Sequence, residues 1–330
     1  MICLVTGATG FVGSAVARKL IAAGHEVRVL VRAASDRRNL AGLDAAPVVG
    51  SLDDHASLAP ALKGCEALFH VAADYRLWVP EPARMYRTNV DGTVALMEAA
   101  MAAGISRIVH TSSVATLGLL PGGADADEAT PVSLDQMVGP YKRSKYLSEE
   151  AVRKLVRERQ LPAVIVNPST PVGPRDVKPT PTGRTIVEAA SGRMPAFVDT
   201  GLNFAHVDDV ADGHLLAFDK GRIGERYILG GENLTLRAFL AVIAGLSGRK
   251  APTVSLPIDL LMPLAYGAEL YARVTGREPF VTRDGLTLAR KKMFFTIAKA
   301  RRELGYAPRP ATEGIRDALD WFRANGYIPA

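Results

Sequence analysis

Tyr141 and Lys145 stand four residues apart in Pro140-Tyr141-Lys142-Arg143-Ser144-Lys145, at the head of a helical pattern that runs to about Arg159. On a helix this spacing puts both side chains on one face. A free tyrosine titrates near ~10, and bringing it to about 7 takes roughly 4 kcal/mol, which is about what an ammonium ~4 Å away supplies at an effective dielectric of ~20. The pair therefore suits acid–base work. Tyr141 would give or take a proton at a reacting oxygen, with Lys145 beside it. Upstream, Arg107-Ile108-Val109-His110-Thr111 reads as a strand that delivers Ser112 and Ser113 to its carboxyl end, the edge where open parallel sheets hold their ligands. Ser113 could there donate to a developing negative charge. Taken singly, Tyr-x-x-x-Lys also fits a surface helix, and Ser113 a turn-capping hydroxyl; their order along the chain joins them.

A site of that kind needs a cofactor, and the chain begins with a place for one. Thr6-Gly7-Ala8-Thr9-Gly10-Phe11-Val12-Gly13 follows the apolar run Ile2-Cys3-Leu4-Val5 and leads into a helical pattern from Ser14 to Leu20. Strand, glycine turn and helix in that order point the unpaired N–H groups of a helix amino end at an anion. Gly7 permits a turn closed to other residues, Gly10 lets the chain approach a ligand, and Gly13 lets the helix sit close on the strand. The spacing is G-x-x-G-x-x-G and no Gly-Lys-Ser/Thr follows, which argues against a nucleotide triphosphatase loop.

The elements that must position these residues follow from the hydrophobic pattern. Runs from Glu26 to Arg32, Ala46 to Gly50, Ala67 to Val71, Arg107 to Thr111 and Ala163 to Val166 read as buried strands alternating with amphipathic helices. The expected fold class is α/β, a Rossmann-like doubly wound parallel sheet with a smaller C-terminal substrate-binding domain. Residues 1–168 are assigned to the nucleotide-binding part and 169–330 to the smaller one, because prolines crowd together after Pro168 and the elements shorten. The run Phe204-Ala205-His206-Val207 and a helix from Asp208 to Asp219 look like a brief return to the sheet around 203–220. The apolar stretch Leu260 to Tyr271 is assigned first to the core, with a dimer contact or a membrane rest as alternatives.

Composition bounds the rest. The 330 residues are 48% hydrophobic and 22% charged, enough for a large core. Two cysteines, Cys3 and Cys65, offer neither a disulfide framework nor metal-ligand spacing, so no metal is expected and a reducing, cytoplasmic setting is. The net charge of +6 is spread out except at Arg290-Lys291-Lys292 and Arg301-Arg302. These clusters read first as solvated helix faces, then as attraction to an anionic substrate or to a membrane surface. Nucleic acid is not expected, because no aromatic residues interleave with the charge. A homodimer is open.

The glycine run, Thr111-Ser112-Ser113, Tyr141-x-x-x-Lys145 and His206-Val207-Asp208-Asp209, in that order, resemble the extended short-chain dehydrogenase/reductase superfamily over essentially the whole chain. Within it the chain resembles the dihydroflavonol-reductase-like branch. Its nearest likeness is to the bacterial hopanoid-associated sugar epimerases, through His70-Val71-Ala72-Ala73-Asp74-Tyr75-Arg76-Leu77-Trp78 and Asn167-Pro168-Ser169-Thr170-Pro171-Val172-Gly173-Pro174. The resemblance implies a catalytic triad of Ser113, Tyr141 and Lys145 supported by Asn89. It also implies cofactor contacts at Gly7, Thr9, Gly10, Phe11, Val12 and Gly13, at Ala72 and Ala73, at Tyr141 and Lys145, and at Pro168 and Ser169 beside the nicotinamide. His206 is expected to be structural, and His70 and His110 to be core positions at strand ends.

The chain departs from the superfamily pattern in two places. Where members often carry Gly-Asp-Leu after the third strand, this chain has Gly50-Ser51-Leu52-Asp53, so adenine recognition falls to Ser51, the Leu52 backbone or Asp53. The second strand ends Val29-Leu30-Val31-Arg32, with no acid to grip the ribose hydroxyls of NAD. Arg32 suits the 2′-phosphate of NADP, with Arg37 or Arg38 as helpers; it also reads as a plain exposed arginine. The expectation is an NADP(H)-preferring oxidoreductase, NAD(H) being possible, acting on a small-molecule secondary alcohol or ketone. The rivals are a nucleotide-sugar epimerase/dehydratase linked to hopanoid biosynthesis and a non-catalytic NADP-sensing module. Asp74, Tyr75, Arg76, Trp78, Ser113 and the loop from Leu117 to Gly139 are expected around the substrate. Arg175, with Lys178, Arg184 and Arg193, could meet a diphosphate or stand in solvent.

Overall fold

In the structure, a computed structural model, residues 1–76 and 78–329 are described. Leu77 of the motif above and Ala330 lie outside them. The alternating pattern of the first half resolves into β1 (Ile2–Thr6), α1 (Phe11–Ala22), β2 (Glu26–Val31), β3 (Ala45–Val49), α2 (Leu58–Leu62), β4 (Ala67–His70), α3 (Pro82–Tyr86), α4 (Gly92–Ala102), β5 (Arg107–Thr111), α5 (Gly139–Arg159) and β6 (Ala163–Pro168). The second half adds β7 (Thr170–Val172), α6 (Pro181–Ala190), β8 (Ala196–Phe197), β9 (Gly201–His206), α7 (Val207–Lys220), β10 (Arg226–Leu229), β11 (Glu232–Thr235), α8 (Leu236–Ser247), β12 (Val254–Ser255), α9 (Ile258–Thr275), α10 (Arg283–Ala289), α11 (Ala298–Leu304) and α12 (Ala311–Ala324).

Seven strands form one sheet in the order β10-β6-β5-β4-β1-β2-β3, and all neighbours run parallel. The strands are apolar on both faces because helices cover both. Cys3 and Val5 of β1 face one cluster with Ala15, Val16 and Leu20 of α1 and Val210 and Ala211 of α7, while Leu4 faces the other with Leu58, Leu96 and Val152. The strand order reverses between β1 and β4, which opens a crevice at their carboxyl ends, and there an open sheet of this kind takes its ligand. Thr6 is in register with both Leu30 and His70, so the segments after β1, β2 and β4 leave the sheet side by side.

Three features differ from the sequence reading. Phe204 to Val207 does not rejoin the main sheet. Its strand, β9, sits in a separate three-stranded sheet between β7 and β11. The return is made instead by α7, which packs on α1, and by β10, a seventh strand beside β6 that the pattern did not reveal. A further cluster, with Ile186, Phe204, Phe239, Ile315 and Phe322 at its centre, joins β9 to α6, α8 and α12. The stretch Leu260 to Tyr271 is not core. As part of α9 it buries Ala265, Ala268 and Glu269 and leaves Leu260, Leu264, Tyr266, Leu270 and Tyr271 exposed.

Candidate active site

The glycine loop is shaped by contacts that leave no room for side chains. Gly7 has φ +75°, and a Cβ there would lie 2.7 Å from the backbone nitrogen of Ala72. A Cβ on Gly13 would lie 2.2 Å from the Gly7 carbonyl oxygen. Gly13 thus lets α1 close onto the loop itself. Gly10 is the N-cap of α1 and is solvent-exposed, with no side chain capping the helix and no acidic residue in its first turn. Thr6 Oγ1 secures the facing segment, accepting from the N–H groups of Val71 (3.2 Å) and Ala72 (3.1 Å) and pairing with His70 Nδ1 at 2.8 Å. Asn39, which the sequence reading missed, donates from Nδ2 to the Thr9 carbonyl at 3.2 Å.

A nicotinamide dinucleotide fits this set of donors. The crevice offers an uncapped helix amino end for a diphosphate. On the far side Ser169 supplies a buried hydroxyl that no protein group engages among the described residues, next to the buried Pro168. When bound, such a group supplies or accepts the hydride. At the other end Arg32 leaves β2 exposed, with no ion pair or side-chain hydrogen bond among the described residues. Arg38, one of its two expected helpers, is held by Asp36 (2.7 Å), which leaves Arg37. Ser51 Oγ accepts from the Asp53 N–H at 3.2 Å, Leu52 is buried against Gly92, and the Asp53 carboxylate takes the Thr88 hydroxyl at 2.6 Å.

Ser113, Tyr141 and Lys145 meet at the carboxyl end of β5. Lys145 is buried and donates from Nζ to the Thr111 carbonyl at 2.9 Å. Burial pushes its ammonium down to about 8, against the partial support of Glu149. Ser113 caps its own short turn by accepting from Ala115 N–H at 3.1 Å, so its proton stays free to be donated. The Tyr141 phenol lies close enough to Ser113 for that hydroxyl to favour its ionised form. The sequence expectation that Lys145 lowers Tyr141 needs correction. In the protein by itself burial raises the phenol above its ordinary value, Ser113 opposes that, and Lys145 exerts no resolved pull. The reason is desolvation, which acts on both groups and which the surface-like dielectric of the sequence argument left out.

Two supports hold the trio in place. Asn89 sits buried in a π-helical turn over Arg87–Asp91. Its Oδ1 accepts from the Asp74 N–H (2.7 Å), and its Nδ2 donates to the Asp74 carbonyl (2.8 Å) and to Ser144 Oγ (3.0 Å). It therefore ties the strand-following loop to the helix that carries Tyr141 and Lys145. The second support went unread in the sequence. Glu149, one turn beyond Lys145 and 2% exposed, accepts from Ser112, from Thr116 (2.8 Å), from Asn167 (2.9 Å) and from Arg226 (3.1 Å). It locks α5 to the ends of β5 and β6 and to β10. A charged residue on the inward stripe Lys145, Ser148, Val152 was the available signal. His70 and His110 are buried on neighbouring strands with ring centroids 5.3 Å apart, and burial pushes both well down, His70 to about 3. His206 caps α7 and pairs with Asp317 at 3.0 Å.

The expected substrate residues divide. Asp74 is half-buried and forked by Arg76 (2.9 Å); burial would raise its carboxyl, but the Arg76 bonds outweigh that and lower it. Tyr75 is exposed and lies close enough to Tyr141 to perturb it, and Trp78 is half-buried nearby in the chain. Arg175 turns away from solvent into an ion pair with Asp208 beside Arg18, at a backbone φ of +75°. Asp176, which the sequence reading passed over, is 3% exposed and accepts from Thr180 N–H (2.8 Å) and Oγ1 (2.9 Å). Burial pushes it up to about 6, and it lies within electrostatic reach of Tyr75.

Residues 3–230, which contain all of this machinery, match the family model described as the NAD dependent epimerase/dehydratase family. The chain belongs to that family. Its relatives include a putative dihydroflavonol 4-reductase of Synechocystis sp., 43% identical over 98% of this chain and 95% of that protein. Another is sterol demethylase protein B of Methylococcus capsulatus, 38% identical over 99% of this chain and the whole of that one. Among solved structures, a nucleoside-diphosphate-sugar epimerase from Pseudomonas aeruginosa is 30% identical with a TM-score of 0.81, covering 100% and 99% of the two chains. The extended short-chain dehydrogenase/reductase resemblance and the Rossmann-like fold are borne out, and the chain is an NAD(P)-dependent enzyme of small molecules.

Proposed function

We propose that the protein is an NADP(H)-preferring oxidoreductase that moves hydride between the nicotinamide and a secondary alcohol or ketone, with Tyr141 as the acid and base. The observation that carries it is the meeting of Tyr141, Ser113 and Lys145 at the sheet edge that also receives the glycine loop. Tyr141 holds the proton that a carbonyl oxygen takes up, Ser113 donates to the same oxygen, and Lys145 keeps a positive charge beneath them. A phenol raised by burial is fully protonated at neutral pH, which suits the reducing direction. Net reduction is further supported by Arg32, an exposed cation at the end of β2 with no ion pair among the described residues, and by a relative named as a reductase. The family and a structural neighbour also carry the name of epimerase, and a nucleotide-sugar diphosphate would ask for a free cation in the substrate region. Of the four candidates for that role, Arg175 is taken up by Asp208 and Arg184 pairs with Glu278 at 3.6 Å, while Lys178 and Arg193 have no ion pair among the described residues. Replacing Tyr141 by Phe removes only the hydroxyl, so turnover is expected to fall roughly 10²–10⁴-fold while cofactor affinity holds. A near-native rate in that variant would refute the assignment.

A further inference from the structure

α9 is built the wrong way round for a helix that faces water. Its inward face is Ala265, Ala268, Ala272 and Glu269, and its outward face carries Leu260 (72% exposed), Leu264, Tyr266, Leu270 (65%), Tyr271 and Val274 (80%). Phe280, just beyond, is 79% exposed. A surface helix of a globular protein buries its large apolar side chains and shows its small and charged ones, and an apolar patch of this extent on a soluble surface marks an interaction site. The inward face is already satisfied. Glu269 accepts from the Arg283 N–H (2.7 Å) and Nε (2.8 Å), and Arg283 lies 4.6 Å from the Tyr266 ring, so α10 is locked against α9.

From this arrangement we infer that the outer face of α9 seats the protein on an anionic lipid surface. Charge selects the occupant. Between residues 249 and 292 the sequence has eight lysines and arginines against four acidic residues, so this stretch carries +4 of the chain's +6. Arg283, Arg290 and Lys292 are paired with Glu269, Asp259 and Asp199, which leaves Arg249, Lys250, Arg273, Arg277 and Lys291 exposed and without an ion pair among the described residues. An apolar helix face with such cations matches the boundary of an anionic bilayer, whereas two copies pressed together there would oppose like charge. Among the described residues no helix is long and apolar enough to cross a membrane, so α9 lies in the interface plane. α10, locked against α9, lines one small cavity with the head of α5, where Asp284, Gly285 and Leu288 meet Val138, Gly139 and Tyr141. The inference does not depend on the redox reading, since it concerns binding alone.

Flotation of the full chain with vesicles of phosphatidylglycerol and phosphatidylcholine, against phosphatidylcholine alone, tests it. The protein is expected to float with the anionic vesicles, less at high salt and less with neutral ones. A Leu264→Asp, Val274→Asp double variant should bind them at least ~10-fold more weakly. NADPH affinity of that variant, unchanged, shows that its fold is kept. Should the variant fail to fold, a fluorophore on Val274→Cys replaces it, and a blue shift on anionic vesicles is expected. Absence of flotation by the wild type, flotation unaffected by the double substitution, or no shift of the fluorophore would overturn the proposal. So would a wild-type dimer in sedimentation that the same substitutions dissociate and that does not float, since the face would then bind a second copy.

Discussion

Lys145 is the group whose titration the fold alters in a way that can be measured without a substrate. Burial takes it from 10.5 to about 8, so at pH 7 the folded chain holds an ammonium that it disfavours by about 3 kcal/mol relative to the unfolded chain. That cost is complete below pH 8. As pH rises the folded protein releases the proton while the unfolded chain still binds it, so stability increases with pH until about 10.5. A Lys145→Met variant has no such proton. The lost bond to the Thr111 carbonyl offsets the variant's stability by a constant at every pH, and Lys142, also pushed down to about 8 by burial, is common to both proteins. Between pH 7 and pH 10 wild type should therefore gain roughly 2–3 kcal/mol on the variant. For a chain of 330 residues, that is about 3–4 °C in Tm. Parallel thermal or urea melts at several pH values would show it. A difference that stays constant across the range would mean that the buried lysine keeps its solution pKa, and the account of a desolvated ammonium would fail.

Arg32→Ala should weaken NADPH by about 10- to 100-fold, the worth of a charged hydrogen bond of ~1.5–3 kcal/mol, and leave NADH nearly unchanged; calorimetric titration of both cofactors decides, and equal losses would remove the phosphate assignment. Asp176 is raised from 3.8 to about 6, so the folded chain binds its proton more tightly and wild-type stability falls as pH climbs from about 4 to 6. Asp176→Asn should then be more stable than wild type by up to roughly 2–3 kcal/mol at pH 7 and by little at pH 4. Urea unfolding at the two pH values would refute this if the gain were the same in both.

Much of the nucleotide-binding half was legible because its signals are local. A glycine turn between an apolar strand and a helix, and buried strands such as Arg107–Thr111, are read from neighbours in sequence. What escaped depends on contacts that residue order does not display. β10 is only four residues long and becomes a strand by pairing with β6, and Glu149 reads as one more charge on a charged helix until Arg226 and Asn167 arrive from elsewhere. The apolar stretch of α9 was misplaced because hydropathy says that a face is apolar and not what it meets. The raised pKa of Tyr141 was missed for a related reason: spacing shows the lysine beside it, whereas burial, which raises the phenol against Ser113, is a property of the assembled site.

The central claim is net hydride transfer to a carbonyl, and NADPH carrying deuterium at the transferred position of the nicotinamide tests it most directly. Offered with a panel of apolar ketones, the enzyme is predicted to oxidise one cofactor for each carbinol formed and to leave the deuterium on the carbinol carbon. Product formed with no net change in NADPH, by protein that retains an oxidised cofactor through turnover, would contradict the claim and make the enzyme an epimerase.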